Sequence, residues 1–141
     1  ENTIIIDKGA SDNVKMGGVV IYKNNLLGKV VQVESHLSVV NLITQKDTSF
    51  TAQSSKTSAT GVIYSGSGEL ILDKVVLSDA LEKDDLVVTK GDIDSTGSGF
   101  PPGLVVGKIV SVSKRASALF QAAEVRSLTD FSQLRIVFVI L

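Results

Sequence analysis

The segment LGKVVQV at Leu27–Val33 returns as VGKIVSV at Val106–Val112. In each copy an aliphatic residue leads into Gly-Lys, and a β-branched run of strand length follows, the composition that suits a pleated, half-buried surface. The lead-in returns as well. Val14-Lys15-Met16-Gly17-Gly18-Val19-Val20-Ile21 and Leu81-Glu82-Lys83-Asp84-Asp85-Leu86-Val87-Val88 both read as an apolar anchor, a polar turn and an apolar strand. The anchors lie 67 positions apart and the Gly-Lys segments 79, so the second copy holds 12 extra residues between its strands. Those residues are nearly all of GDIDSTGSGFPPG, Gly91–Gly103. Copy one needs only the turn Lys23-Asn24-Asn25, where asparagine tolerates positive φ. The long stretch is therefore an extended hairpin loop on a repeated β unit.

Around the repeat, strand patterns dominate. Thr3–Ile6, Gly18–Tyr22, Leu26–Val33, Ser38–Ile43, Gly61–Tyr64, Glu69–Leu77, Leu86–Thr89, Leu104–Val112, Phe120–Val125 and Leu134–Leu141 are short, apolar and bounded by turn residues. Helical turns fit only near Asn13–Lys15, Asp79–Glu82 and Thr129–Gln133. The expected fold class is all-β, with two small β-barrel-like lobes from a tandem β repeat and few short helical turns. The lobes are expected at residues 1–73 and 74–141, with the last strand, Arg135–Leu141, able to pair back to the first. Gly28 and Gly107 mark a bulge or a close backbone approach. Lys29 and Lys108 follow them, with their stems over the core edge or a bulge flipping the register, and their heads in solvent.

Composition narrows the function. The chain has 141 residues, 43% of them hydrophobic and only 5% aromatic, so its core is aliphatic. Fourteen basic against fifteen acidic residues, in no block, leave a net charge of -1 and no stripe for nucleic acid. With no Cys and a single His, neither disulfides nor a transition-metal site are expected, and no cofactor is. No apolar run approaches the ~18 residues of a membrane-spanning helix. The chain opens on Glu1 and reads as an excised fragment, so an anchor or targeting segment would lie outside it.

The chemical motifs in the long loop are imperfect. Asp94-Ser95-Thr96-Gly97 has one residue too many for an aspartic-protease triplet. Gly97, Gly99 and Gly103 miss the dinucleotide spacing, and a strand follows them instead of a helix. His36 sits in a turn with no triad partners in sequence. No catalytic residue is expected. The alternative expectation is a degenerate double-barrel hydrolase in which Asp92 or Asp94 acts from the loop, which requires convergent polar groups in a concave site. A sugar-binding module would need exposed stacking aromatics, and two Tyr and five Phe offer little. Phe100-Pro101-Pro102 stiffens the loop tip, either packing over a barrel end or meeting a partner. Phe100, Pro101, Pro102 and Leu104 are the first candidate contact residues, with Tyr22 and Tyr64 after them.

IIIDKGASDNVKMGGVVI, LLGKVVQVESHLSVVNLIT, LEKDDLVVTKG, FPPGLVVGKIVSV and LFQAAEVRSLTDFSQLRIVFVIL, in that order, resemble the extracytoplasmic core of the rod-shape-determining MreC family. The resemblance runs from about Ile4 to Leu141. It implies a non-catalytic scaffold of the cell-elongation machinery, on the periplasmic face of the bacterial inner membrane. Implied partners are a class B penicillin-binding transpeptidase, MreD and further elongation proteins, and a second copy in a dimer or filament. It also implies membrane attachment only through an N-terminal anchor and coiled coil lying outside these residues. The loop carries Asp92, Asp94 and Ser95 where the family's stretch is richer in glycine.

Overall fold

The computed structural model describes residues 2–92, 99–114 and 118–141. Its strands are β1 (Thr3–Ile6), β2 (Val19–Tyr22), β3 (Asn25–Val33), β4 (Ser38–Leu42), β5 (Ser49–Ser54), β6 (Thr60–Ser65), β7 (Leu70–Val76), β8 (Leu86–Thr89), β9 (Val105–Ser113), β10 (Phe120–Arg126) and β11 (Phe138–Ile140). Short 3₁₀ turns stand at Ala10–Asp12 and Phe131–Gln133. The fold is all-β. β5 through β10 close into a six-stranded barrel in the ring order β5-β6-β7-β10-β9-β8, with β8 returning to β5. Beside it, β1-β4-β3-β2-β11 form an open five-stranded antiparallel sheet. The two meet where Asn25 on β3 pairs with Val105 on β9. The division expected at Asp73/Lys74 falls inside β7, which pairs with β6 on one edge and β10 on the other.

Backbone register makes the repeat physical. Val20 lies opposite Gly28 and Val19 opposite Lys29, and Val87 opposite Gly107 and Leu86 opposite Lys108. Each hairpin shifts register just after its Val. A second shift is shared too: Val30–Val40 gives way to Gln32–Val39, as Ile109–Val125 gives way to Ser111–Glu124. The equivalence then carries over to β1 and β7, because Ile4 faces Val40 as Leu70 faces Val125. This reveals a third repeated segment, Ile4-Ile5-Ile6-Asp7-Lys8 against Leu70-Ile71-Leu72-Asp73-Lys74. It was available in sequence as two apolar triplets ending in Asp-Lys.

Two apolar clusters result. One fills the barrel and takes in Val19 and Leu26 from the neighbouring sheet; the other holds Val14, Val20, Leu27, Val30, Val40 and Leu42. Adjacent residues Val19/Val20 and Leu26/Leu27 thus feed different cores, which is why these strands read as continuous apolar runs instead of alternating. Burying each such Leu or Val contributes about 1.5–3 kcal/mol. Phe131 packs against both clusters. In the Lys23-Asn24 turn, Lys23 takes the left-handed conformation, φ 56°.

β5 was absent from the sequence reading. Ser49-Phe50-Thr51-Ala52-Gln53-Ser54 places only Phe50 and Ala52 toward the core as hydrophobes, too sparse a signal for a strand. Arg135–Leu141 pairs only over Phe138–Ile140, with Val19–Ile21 of β2.

One buried polar side chain ties the barrel's loops. Gln121, 1% exposed, donates from Nε2 to the Asp79 carbonyl at 2.7 Å and the Val76 carbonyl at 3.1 Å. Its Oε1 has no partner among the described residues. Gln121→Leu leaves the Asp79 carbonyl without its donor, while the Val76 carbonyl keeps the Asp79 N–H, and is expected to lose about 1–3 kcal/mol. A urea titration checks it, through a lower midpoint at unchanged slope. An unaltered midpoint would show the tie to be dispensable.

Candidate functional site

The long hairpin loop is tied down at its base. Thr89 Oγ1 donates to the Pro101 carbonyl at 2.7 Å and accepts from Leu104 N–H at 2.9 Å. Gly103 N–H donates to the Thr89 carbonyl at 3.0 Å, and Asn24 Nδ2 donates to the Gly103 carbonyl at 3.0 Å. Gly91, at φ +94°, lets the Pro102 ring lie close, since a Cβ there would come within 2.8 Å of it. Pro102 and Gly103 are exposed and Pro101 is half-buried.

Phe100 turns inward. It is 6% exposed, and its ring meets Phe50 edge to face with centroids 4.9 Å apart and planes at 79°. The Lys29 ammonium stands 4.8 Å from the Phe100 centroid, within cation–π range, so this repeated lysine covers an aromatic ring. Its counterpart Lys108 is exposed. Leu104 is buried alongside. Of the six candidate contact residues, the surface therefore receives Pro102, part of Pro101, half-buried Tyr22, and Tyr64, which is 40% exposed on β6. Tyr22 lies on β2 and Tyr64 on β6.

The carboxylates do structural work. Asp92 Oδ2 accepts from Thr51 N–H at 2.9 Å, which ties the loop to β5. Asp94 lies outside the described residues. Ser11 Oγ and His36 Nδ1 stand 3.0 Å apart, a pairing that the sequence gave no sign of. Both are exposed, and Ser11 Oγ also donates to the Ser35 carbonyl at 2.8 Å, closing two surface turns on each other. Asp130 caps the Phe131–Gln133 turn. Its carboxyl is held below the usual range by the Ser132 hydroxyl and then by the Ser132 N–H. A depressed folded-state pKa means that this cap is intact above the ordinary carboxylate range and is lost as pH falls through its lowered value. Among the described residues, no three His, Cys, Asp or Glu side chains cluster as metal ligands. None of the described helices is long and apolar enough to cross a membrane.

Residues 1–141 match the family "Rod shape-determining protein MreC, barrel core". The cell shape-determining protein MreC of Haemophilus influenzae is 33% identical over 140 residues, spanning 97% of this chain and 38% of that protein. The crystal structure of MreC from Pseudomonas aeruginosa superposes with a TM-score of 0.88 at 25% identity, over 99% of this chain and 89% of that one. A complex between the penicillin-binding protein PBP2 and MreC from Helicobacter pylori shares the fold, with a TM-score of 0.73 at 20% identity over 98% and 85% of the chains. The chain spans less than half the length of the curated relatives it matches.

Proposed function

The chain belongs to the MreC family of cell shape-determining proteins, which are not enzymes, and on that premise we propose that it is a docking scaffold of the cell-wall elongation machinery. In this reading it works at the periplasmic face of the inner membrane, where it binds a class B penicillin-binding transpeptidase and MreD and associates with itself. The observation that carries the proposal is the match of all 141 residues to the family's barrel core. The Helicobacter pylori relative in complex with PBP2 supports the transpeptidase as partner. The chemistry agrees, because Asp92 is spent on a backbone hydrogen bond, whereas Tyr64 and Pro102 stand out to solvent.

Contact is assigned to Pro101, Pro102, Tyr22 and Tyr64, with Phe100 and Leu104 fixing the loop that presents the prolines. Exposed aromatic side chains are the usual energetic anchors of such interfaces. Sedimentation of the protein with and without the transpeptidase ectodomain tests the reading. A complex is expected, weakened about tenfold by Tyr64→Ala combined with Pro102→Ala. A protein that stays monomeric at every concentration and ignores the ectodomain would refute the scaffold. A complex indifferent to both substitutions would refute only the assigned contacts.

A further inference from the structure

We propose that the open sheet is a barrel one strand short, and that the gap between β1 and β11 receives an extended segment of another polypeptide as its sixth strand. The barrel itself supplies the template. Around its ring, β7-β10-β9-β8-β5 are joined by antiparallel pairings, and β1-β4-β3-β2-β11 repeat that arrangement position for position. Four reversals leave β1 and β11 running in one direction, as β7 and β5 do. In the barrel β6 fills the interval, antiparallel to both neighbours. Among the described residues, nothing pairs with the outer edges of β1 and β11.

The interval is a groove of about 830 Å³ with β1 on one wall and the run through Val137 and Val139 on the other. Ile4, Ile6, Val137 and Val139 line its floor and are packed onto the smaller core. Natural sheets blunt free edges with charge, proline or cover. Here the strands flanking the groove carry Ile5 at 72% and Phe138 at 56% exposure. Apolar exposure on two free, facing edges is the signature of strand addition, in which main-chain hydrogen bonds supply affinity and alternate side chains supply specificity.

The template also defines the occupant. β6 presents Gly61, Ile63 and Ser65 inward, so the entering strand places small or aliphatic residues at alternate positions. Rim charges Asp7, Lys8, Asp12 and Arg135 cancel, which selects a segment of no large net charge, as residues 58–67 of this chain are. A second copy pairing through its own β1 edge is the competing occupant, and the crosslinking test separates it from an added strand. The proposal does not depend on the transpeptidase being a partner.

Register makes the test sharp. Tyr64 lies opposite Ile71, the counterpart of Ile5, so the occupant's equivalent residue is placed opposite Ile5. Opposed residues on antiparallel strands sit within disulfide reach. The chain has no Cys, so Ile5→Cys creates a single thiol at an exposed position that leaves the fold intact. The probes are synthetic peptides copying residues 58–67, with Tyr64→Cys, Ile63→Cys or Ser65→Cys. The Tyr64→Cys peptide is expected to crosslink about fivefold faster than the others, and Val62→Pro together with Ile63→Pro to abolish it by removing backbone donors. Crosslinking indifferent to position or to proline overturns the proposal. So does the absence of any crosslink in excess peptide, or a faster Ile5→Cys homodimer, which would mark the groove as a face between copies.

Discussion

Phe100→Ala is expected to lower folding stability by about 3–5 kcal/mol, the range for emptying a buried phenylalanine site. The ring is almost fully buried, its edge-to-face partner Phe50 loses its contact, and the Lys29 ammonium loses the face it covers. The loop cannot collapse into the vacancy, because Thr89 holds both Pro101 and Leu104 through hydrogen bonds. In a chain of this length the loss amounts to about 10–15 °C in melting temperature. Pro102→Ala, at an exposed position, should cost no more than about 1 kcal/mol, the chain entropy that the proline ring removes from the unfolded state. Thermal and urea unfolding of both variants decide the matter, and a Phe100→Ala loss under about 1 kcal/mol would show the ring not to be held in the core. The pair also separates contact from packing. Reduced partner binding by Phe100→Ala would report a damaged barrel end, whereas reduced binding by Pro102→Ala would report a lost contact.

Gly107→Ala and Gly28→Ala are each expected to cost about 3 kcal/mol, the upper end for overpacking. A Cβ on Gly107 would run into the Arg126 carbonyl oxygen, and one on Gly28 into the Asn41 carbonyl oxygen. These obstacles are equivalent by register and both are backbone, so relief requires neighbouring strands to separate. The sites share no partner, so their costs should add to about 6 kcal/mol, within the whole stability of an ordinary domain. The double variant should therefore be largely unfolded at 37 °C by circular dichroism. If either single variant matched the parent within about 0.5 kcal/mol, the close approach would not be what keeps these positions glycine.

How far the sequence carries the reading differs by element. The Gly-Lys segments announced strands and a constraint on side-chain size, because the reason for glycine there is local to each strand crossing. The 12-residue excess marked a long connection between two strands, and β8 and β9 on either side of it do pair antiparallel, because the comparison was internal to one chain. The candidate contact residues were harder. Nothing in Phe100-Pro101-Pro102 tells whether the ring points into a barrel or out to solvent; Phe50, 50 positions earlier on a strand with two apolar residues, decides that.

By itself the sequence determined an all-β chain built from a duplicated unit, the two glycines that mark a bulge or a close backbone approach, and the absence of cysteine. These follow from alternation, spacing and inventory, which are properties of neighbours. The tertiary structure alone decided which strands share an edge. β5 and β6, which follow the first copy, close the barrel of the second, whereas β11, which follows the second, pairs back to the first. Such pairings are a competition between distant segments of similar apolar character, which the local pattern does not decide. The same competition leaves β1 and β11 facing each other across a groove, with backbone groups there still open to a partner strand.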